Sequence, residues 1–227
     1  MRIVCLGDSL TWGLYGGSYV DALARLLPEH TLLNAGVGGN TVVNLLRRWE
    51  RDVLPLQPDG VFVMVGGNDA ISYHNPKVRP YYAKVQKIDG GYIDPETFES
   101  AYRELLTELQ IAHLVTWVGL EPVEYSTDVV AALRAYNQRA AAAARALNIP
   151  VLDLLELLMP PQGAAEREPI TMDFILTIGQ REKIGWNDYE SVRQRDGFTY
   201  TFDGVHVTPA GAQRMAGLIA AFIRHHS

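Results

Sequence analysis

The feature that most constrains the fold of this chain is a regular alternation of two kinds of segment. Short apolar runs rich in Val, Ile and Leu occur at residues 2–6, 31–34, 61–65, 114–118 and 151–154. The stretches between the runs repeat apolar side chains at helical spacing, which gives a helix one apolar face. Strands that alternate with helices are typical of a parallel sheet covered by crossover helices. The sequence therefore predicts an α/β fold with a central parallel sheet of about five strands, each buried on both faces.

Two segments, 70–91 and 161–202, interrupt this alternation and carry many aromatic residues. Loops of that length in a compact domain are usually binding loops, lids or subunit contacts. An equally good interpretation is that their aromatic side chains only anchor long surface loops to the core. We expect one domain over residues 1–227 with these two long loops, and we leave open a homo-oligomer in which they meet a second subunit.

Composition narrows the class of protein. The chain has 227 residues, of which 48% are hydrophobic, and this suits one domain with a full core. Its net charge of −6 gives no electrostatic reason to bind nucleic acid, because phosphate backbones attract clustered Lys and Arg. No apolar run approaches the roughly 20 residues that span a bilayer, and the first residues resemble a strand rather than an export signal. We therefore expect no membrane span and a cytoplasmic location.

The chain contains one cysteine, Cys5. A single cysteine excludes an internal disulfide and any metal site built from several cysteines. Because Cys5 lies within an apolar run, we interpret it as a core residue rather than a nucleophile.

A serine at the end of the first predicted strand is the candidate nucleophile. The first apolar run continues into Gly7-Asp8-Ser9-Leu10, which places Ser9 at the carboxyl end of a buried strand. Open α/β sheets bind their ligands at this edge. A small polar turn after a strand also has a purely structural explanation, so the assignment of Ser9 depends on finding its partners.

A histidine near the other terminus supplies a candidate base. Asp203-Gly204-Val205-His206 precedes the last helical pattern. A serine hydroxyl becomes a good nucleophile when an imidazole oriented by an acid removes its proton. A carboxylate three residues before a histidine can accept the Nδ1 hydrogen and leave Nε2 to face the serine. The DxxH pattern is weak alone, and its value here comes from its combination with Ser9.

Glycine-rich turns follow the second and third strands and supply candidate hydrogen-bond donors. They are NAGVGGN at 34–40 and GGND at 66–69. Attack on an ester produces an oxyanion, which preorganised N–H groups stabilise, and glycine lets the backbone approach it closely. We predict three donors: the backbone N–H groups of Ser9 and Gly39 and the side-chain amide of Asn68. Either turn alone is explained by the usual preference of loops for glycine and asparagine, whereas four such motifs at successive strand ends indicate a catalytic site.

Other chemistries have less support. The glycines of 34–40 do not satisfy the GxGxxG pattern of dinucleotide sites, and the chain has no P-loop, no GxSxG elbow and no HExxH zinc motif. A hypothesis from a different class is a non-catalytic module that binds carbohydrate or lipid on the same scaffold. Such a module normally lacks the serine or the histidine, and both are present here.

The four motifs together resemble those of the SGNH, or GDSL, hydrolase family. They occur in the family's order and span nearly the whole chain: GDSL at 7–10, NAGVGG at 34–39, GGND at 66–69 and DGVH at 203–206. The resemblance implies the family's flavodoxin-like, three-layer α/β/α sandwich and a reaction without a cofactor or a metal ion.

The same resemblance implies roles for five residues. Ser9, Asp203 and His206 would be the catalytic residues, and Ser9, Gly39 and Asn68 would form the oxyanion hole. We expect hydrolysis of carboxylic esters, with short-chain acyl or aryl esters as substrates. The alternative is removal of O-acetyl groups from a carbohydrate, in which aromatic loop residues would stack on sugar rings. The expected partner is thus a small-molecule or carbohydrate ester.

Overall fold

The computed structural model describes residues 1–226 and has the predicted parallel sheet at its centre. The five strands lie in the order β2-β1-β3-β4-β5, and every neighbouring pair is parallel. Their bounds are β1 Arg2–Gly7, β2 Thr31–Gly36, β3 Gly60–Met64, β4 Val115–Leu120 and β5 Val151–Asp153. The predicted α/β class and parallel sheet are confirmed, and each predicted run begins within one residue of the observed strand.

Helices cover both faces of the sheet. They are α1 Ser9–Trp12, α2 Tyr19–Leu26, α3 Val42–Val53, α4 Gly67–His74, α5 Arg79–Lys84, α6 Pro95–Ile111, α7 Thr127–Ala146, α8 Leu154–Leu158, α9 Met172–Lys183, α10 Tyr189–Asp196 and α11 Pro209–His225. Within the described part of the chain, no helix has both the length and the apolarity needed to cross a membrane.

Alternating side chains of each central strand enter two separate cores. In β1, Ile3 and Cys5 belong to the core shared with α2, α8 and α11, whereas Val4 and Leu6 belong to the core shared with α3, α6 and α7. Successive residues of a strand point to opposite faces, so a strand covered on both sides must be apolar throughout. The result is the predicted three-layer α/β/α sandwich, and Cys5 is fully buried in it.

The prediction that every strand is buried on both faces is wrong for the two outer strands. β2 contains no fully buried residue, and in β5 only Leu152 is buried. An outer strand has a single neighbour, so one side of it stays open to solvent. The apolar side chains of β2, Leu32 and Leu33, pack from the rim against the two cores.

The expectation of two long loops also needs correction, because both segments are largely helical. Segment 70–91 holds the end of α4, the helix α5 and two 3-10 turns, and segment 161–202 holds α9 and α10. Each of these helices is short, and α9 has no fully buried residue. Neither α9 nor α10 is followed by a strand of the sheet, so the alternation that identified the other helices does not extend to them.

Candidate active site

The candidate site lies where β1 and β3 end. The chain passes from β1 to β2 on one side and to β3 on the other, so the switch point at which open α/β sheets form a crevice lies between β1 and β3. Ser9 is the first residue of α1, one residue beyond the end of β1, and Asn68 is the second residue of α4, shortly after β3. Asp8 caps α1, since its Oδ1 accepts the N–H of Leu10 at 3.0 Å. The cap fixes the start of the helix that carries Ser9.

The structure brings the predicted serine, histidine and aspartate together from opposite ends of the chain. His206 Nε2 lies 3.1 Å from Ser9 Oγ, and His206 Nδ1 lies 2.9 Å from Asp203 Oδ2. The other carboxylate oxygen of Asp203 accepts the backbone N–H groups of Val205 and His206, at 2.9 and 2.7 Å. Asp203 is therefore held by the same turn that it orients, and the imidazole faces the serine hydroxyl.

A buried glutamate after β4 fixes the segment that leads into this turn. Glu124 accepts hydrogen bonds from the backbone N–H groups of Thr199, Tyr200 and Thr201 at 2.7–3.0 Å. A carboxylate with several backbone donors is strongly held in place. Glu124 therefore ties the residues just before Asp203 to the carboxyl edge of the sheet.

His206 is 4% exposed and lies among aromatic rings. The ring of Tyr15 meets it edge-on at 5.0 Å between centroids, and Phe202 stacks at 6.2 Å. Burial alone would lower the pKa of His206, but the charge and hydrogen bond of Asp203, together with the charge of Asp8, outweigh it and raise that pKa. The imidazole thus holds a proton more readily than an exposed histidine does.

Gly39 presents a backbone N–H that no described residue accepts. Its φ of +78° lies in the left-handed region, which favours glycine. A Cβ at this position would clash with the Gln86 amide and the Tyr81 hydroxyl. Gln86 also donates to the Gly38 carbonyl at 3.1 Å and accepts from the Asn40 amide at 3.0 Å. Segment 70–91 therefore sets the shape of the Gly39 turn.

The side-chain amide of Asn68 is fully engaged in hydrogen bonds. Its Nδ2 donates to Asp8 Oδ2 at 2.6 Å and to the Asn40 carbonyl at 3.1 Å, while its Oδ1 accepts from the Tyr82 hydroxyl at 2.9 Å. An amide nitrogen carries two hydrogens. Donation to an oxyanion therefore requires Asn68 to exchange one of these bonds, and the longer bond, to Asn40, is the weaker of the two.

A cavity of about 650 Å³ opens over Ser9 and His206. Apolar side chains from the two segments beyond the strand-helix alternation line much of it: Ile71, Val85, Ile170, Phe174, Ile175 and Ile178. The α9 helix covers the cavity rather than the sheet. Tyr82 of α5 is fully buried, so segment 70–91 both lines the cavity and anchors itself to the core.

Sequence reasoning missed three buried polar side chains that support the site: Gln86, Glu121 and Glu124. Gln86 lies 46 residues along the chain from its hydrogen-bond partner Asn40. Glu124 lies 75 residues from its partner Thr199. No motif surrounds either, because the contacts form only when the sheet brings distant turns together. A charged residue directly after β4 was the available signal for Glu121, and Glu124 lies in the same turn.

The fold and this hydrogen-bonded serine, histidine and aspartate place the chain in the class of SGNH hydrolases. It belongs to the GDSL-like lipase/acylhydrolase family, whose sequence model matches residues 5–214. The family resemblance predicted from the four motifs is thereby confirmed.

Known proteins similar to this chain include esterases. An acetylxylan esterase from Geobacillus stearothermophilus is 32% identical over 125 residues, a match that takes in 47% of this chain and 53% of that esterase. The chain thus spans about half the length of the curated relative it matches. A solved lipase/acylhydrolase from Enterococcus faecalis is 20% identical and covers 99% of this chain and 96% of its own, with a TM-score of 0.64. The solved structure of the acetyl xylan esterase AlAXEase is 19% identical to this chain, and the match covers 97% of this chain and 98% of that esterase, with a TM-score of 0.66. Both solved structures share the fold of this chain.

Proposed function

We propose that this chain is a carboxylic ester hydrolase that acts through an acyl-serine on Ser9. The observation that carries the proposal is the unbroken hydrogen-bonded path from Asp203 through His206 to Ser9, at 2.9 and 3.1 Å. A cavity of ligand size opens directly over this path. Membership of the GDSL-like lipase/acylhydrolase family supports the same chemistry.

In the proposed reaction, His206 Nε2 takes the hydroxyl proton as Ser9 Oγ bonds to the ester carbonyl carbon. The carbonyl oxygen becomes an oxyanion that the N–H groups of Ser9 and Gly39 and the amide of Asn68 stabilise. When the oxyanion collapses, the bond to the alkoxide breaks, and His206 returns the proton so that an alcohol leaves. Water then attacks the acyl-serine with His206 again as base, and the carboxylic acid is released.

The raised pKa of His206 leads to a prediction about pH. Protonated imidazole cannot take the serine proton, so activity requires a pH above the pKa of His206. We expect kcat/KM for a nitrophenyl ester to fall on the acid side with an apparent pKa above the ordinary histidine value of ~6.5. A rate profile measured from about pH 5 to about pH 9 checks this. A flat profile would show that His206 is not the base, whereas an acid limb below the ordinary value would show that Asp203 and Asp8 do not raise the pKa of His206.

Replacing Asn68 with alanine tests the oxyanion assignment. We expect kcat to fall by roughly 10²- to 10³-fold, which is the usual loss for one such donor. The change also removes the Asn68 N–H from Asp8 Oδ2 and the acceptor of the buried Tyr82 hydroxyl, so we expect some loss of thermal stability as well. Turnover and melting temperature should be measured on the same preparation. Tyr82→Phe is the control, because it removes one bond of Asn68 but leaves the amide donor. Equal kcat losses in the two variants would contradict the assignment.

Removal of acetyl groups from a carbohydrate is a second candidate function. Two observations favour it: the similarity to an acetylxylan esterase, and the partly exposed rings of Trp12 and Tyr81 in the wall of the cavity. Aromatic rings at such positions can stack on sugar faces. The largely apolar lining contributed by 70–91 and α9 favours instead a short acyl or aryl ester, which is the substrate class that we propose.

A substrate panel tests both functions. Nitrophenyl acetate, nitrophenyl butyrate and acetylated xylooligosaccharides should be given to the parent protein and to Ser9→Ala. We expect turnover of the nitrophenyl esters by the parent alone. A higher kcat/KM for the acetylated oligosaccharides would select the deacetylase. Failure of the parent to exceed Ser9→Ala on every ester would overturn ester hydrolysis by this site.

A further inference from the structure

A buried glutamate with no part in the reaction above lies beside the site. Glu121 directly follows β4 and is 1% exposed, and its backbone carbonyl accepts a hydrogen bond from the Asn137 amide at 3.0 Å. Its side chain reaches the turn after β3, where Oε2 accepts the backbone N–H of Gly67. A Cβ on Gly67 would lie 2.8 Å from that oxygen, so the close approach of the carboxyl group depends on glycine.

The carboxyl group of Glu121 lies near that of Asp8 at the wall of the same cavity, close enough for each to shift the pKa of the other, and Asp8 is 3% exposed. Two ionised carboxylates close together and out of water repel each other strongly. The buried carboxyl of Asp69 adds to the negative charge nearby. No described residue donates a hydrogen bond to Glu121 Oε1. The buried guanidinium of Arg48 does not neutralise Glu121, because it forms an ion pair with Asp52.

A proton on Glu121 removes this repulsion. Burial raises the pKa of Glu121 well above its usual range, and the charge of Asp8 raises it further. Within residues 1–226, the titratable groups that interact with Glu121 are Asp8, Asp69, Tyr82 and Tyr102, and none of these four is a cation that could take the place of the proton. With the proton in place, the acid can still accept from the backbone through Oε2 while it donates to Asp8.

Asp8 connects the two halves of the proposed chemistry. Its Oδ1 caps the helix that begins with Ser9, and its Oδ2 accepts the Asn68 amide at 2.6 Å. We propose that Glu121 is a positioning residue that, as a neutral acid, donates a hydrogen bond to Asp8 and thereby holds Ser9 and Asn68 in the geometry of oxyanion binding. This inference rests on the proposed ester hydrolysis, because it assigns Glu121 a part in the same site.

Two substitutions of similar size separate a neutral donor from a charge. Glu121→Gln keeps an oxygen for Gly67 and an N–H donor for Asp8, but it cannot ionise. Glu121→Met fills the same space without either hydrogen bond. We expect Glu121→Gln to retain kcat within about threefold of the parent, whereas Glu121→Met loses about 10- to 100-fold, as expected when a catalytic group is displaced. KM should change by less than about threefold in both variants, because Glu121 acts on the site and not on substrate affinity.

The measurement is kcat and KM on a nitrophenyl ester for the parent, the two variants and Ser9→Ala, with melting temperatures alongside. Turnover by the parent that Ser9→Ala lacks establishes the proposed function independently of Glu121. If Glu121→Gln then loses as much kcat as Glu121→Met, the residue acts through its charge and the inference is wrong. If Glu121→Met keeps full kcat per folded molecule, the role is only structural and the inference is also wrong.

A second readout remains if Glu121→Met does not fold. The infrared carbonyl band of protonated carboxylic acids should be present in the parent at neutral pH. In Glu121→Gln the intensity of this band should be lower by the contribution of one carboxyl group. Because the pKa of Asp69 is raised to about 8, that residue contributes a similar band to both proteins, and it cancels in the difference spectrum. An unchanged band would overturn the proposal that Glu121 carries the proton.

Discussion

Replacing Ser9 with alanine is expected to lower kcat for ester hydrolysis by roughly 10⁴- to 10⁶-fold, the range seen when the nucleophile of such a triad is removed. In the proposed reaction the acyl-serine cannot form without Oγ, and only the proposed oxyanion donors and the cavity remain to assist direct attack by water. Among the residues that the structure describes, Ser9 Oγ makes one side-chain hydrogen bond, to His206, so the fold should lose little stability. Steady-state kinetics and thermal unfolding check the two parts of this prediction.

Ser100→Ala is a matched control for that experiment, since Ser100 is an exposed serine on α6. It should retain the parent's kcat and melting temperature. If Ser9→Ala keeps more than a few per cent of the parent's turnover in a preparation free of other esterases, Ser9 is not the nucleophile.

Replacing Asp203 with asparagine is expected to lower kcat by about 10³- to 10⁴-fold. Asparagine can turn an N–H donor toward His206 Nδ1, and this favours the tautomer whose Nε2 carries a hydrogen and cannot accept the serine proton. The substitution also removes a charge that raises the pKa of His206. The acid limb of the remaining activity should therefore move to lower pH.

The pH dependence of kcat/KM for Asp203→Asn measures both effects at once. Asp203→Glu offers a comparison, because it keeps the charge but lengthens the side chain. It should hold the acid limb closer to that of the parent than Asp203→Asn does. A loss of less than tenfold in Asp203→Asn, with the acid limb unmoved, would show that Asp203 does not orient the base.

The sequence predicted the core of the fold well because the central strands leave a simple signature. A strand buried on both faces must be apolar throughout, and β1, β3 and β4 satisfy this almost completely. The outer strands β2 and β5 also contain apolar residues, and no feature of their local sequence distinguishes an outer strand from a central one. Position within the sheet is a property of the whole chain, so burial of the outer strands was overestimated.

The helices over the cavity were missed for a related reason. The apolar residues of α9 face a cavity and not the sheet, and a run such as Phe174, Ile175 and Ile178 resembles an aromatic loop when no strand follows. The spacing of these three residues does fit one face of a helix. The alternation with strands, which identified the other helices, was the signal that they lacked.

The candidate site itself was predictable as far as its motifs extend. Ser9, Gly39, Asn68 and His206 each belong to a short polar or glycine-rich motif at a strand end or before a helix, and such motifs can be recognised without knowledge of the fold. Glu121 carries no such mark, because its importance comes from a contact with a turn 54 residues away. The engagement of both amide hydrogens of Asn68 is likewise visible only in three dimensions.

Covalent labelling tests the central claim most directly, namely that His206 activates Ser9 as a nucleophile. The parent protein should be incubated with a fluorophosphonate at neutral pH, digested and mapped by mass spectrometry, beside Ser9→Ala and His206→Ala. We predict one adduct per chain, on Ser9, with no labelling of Ser9→Ala and greatly slowed labelling of His206→Ala. An adduct on any other residue, or labelling of His206→Ala at the rate of the parent, would contradict the account.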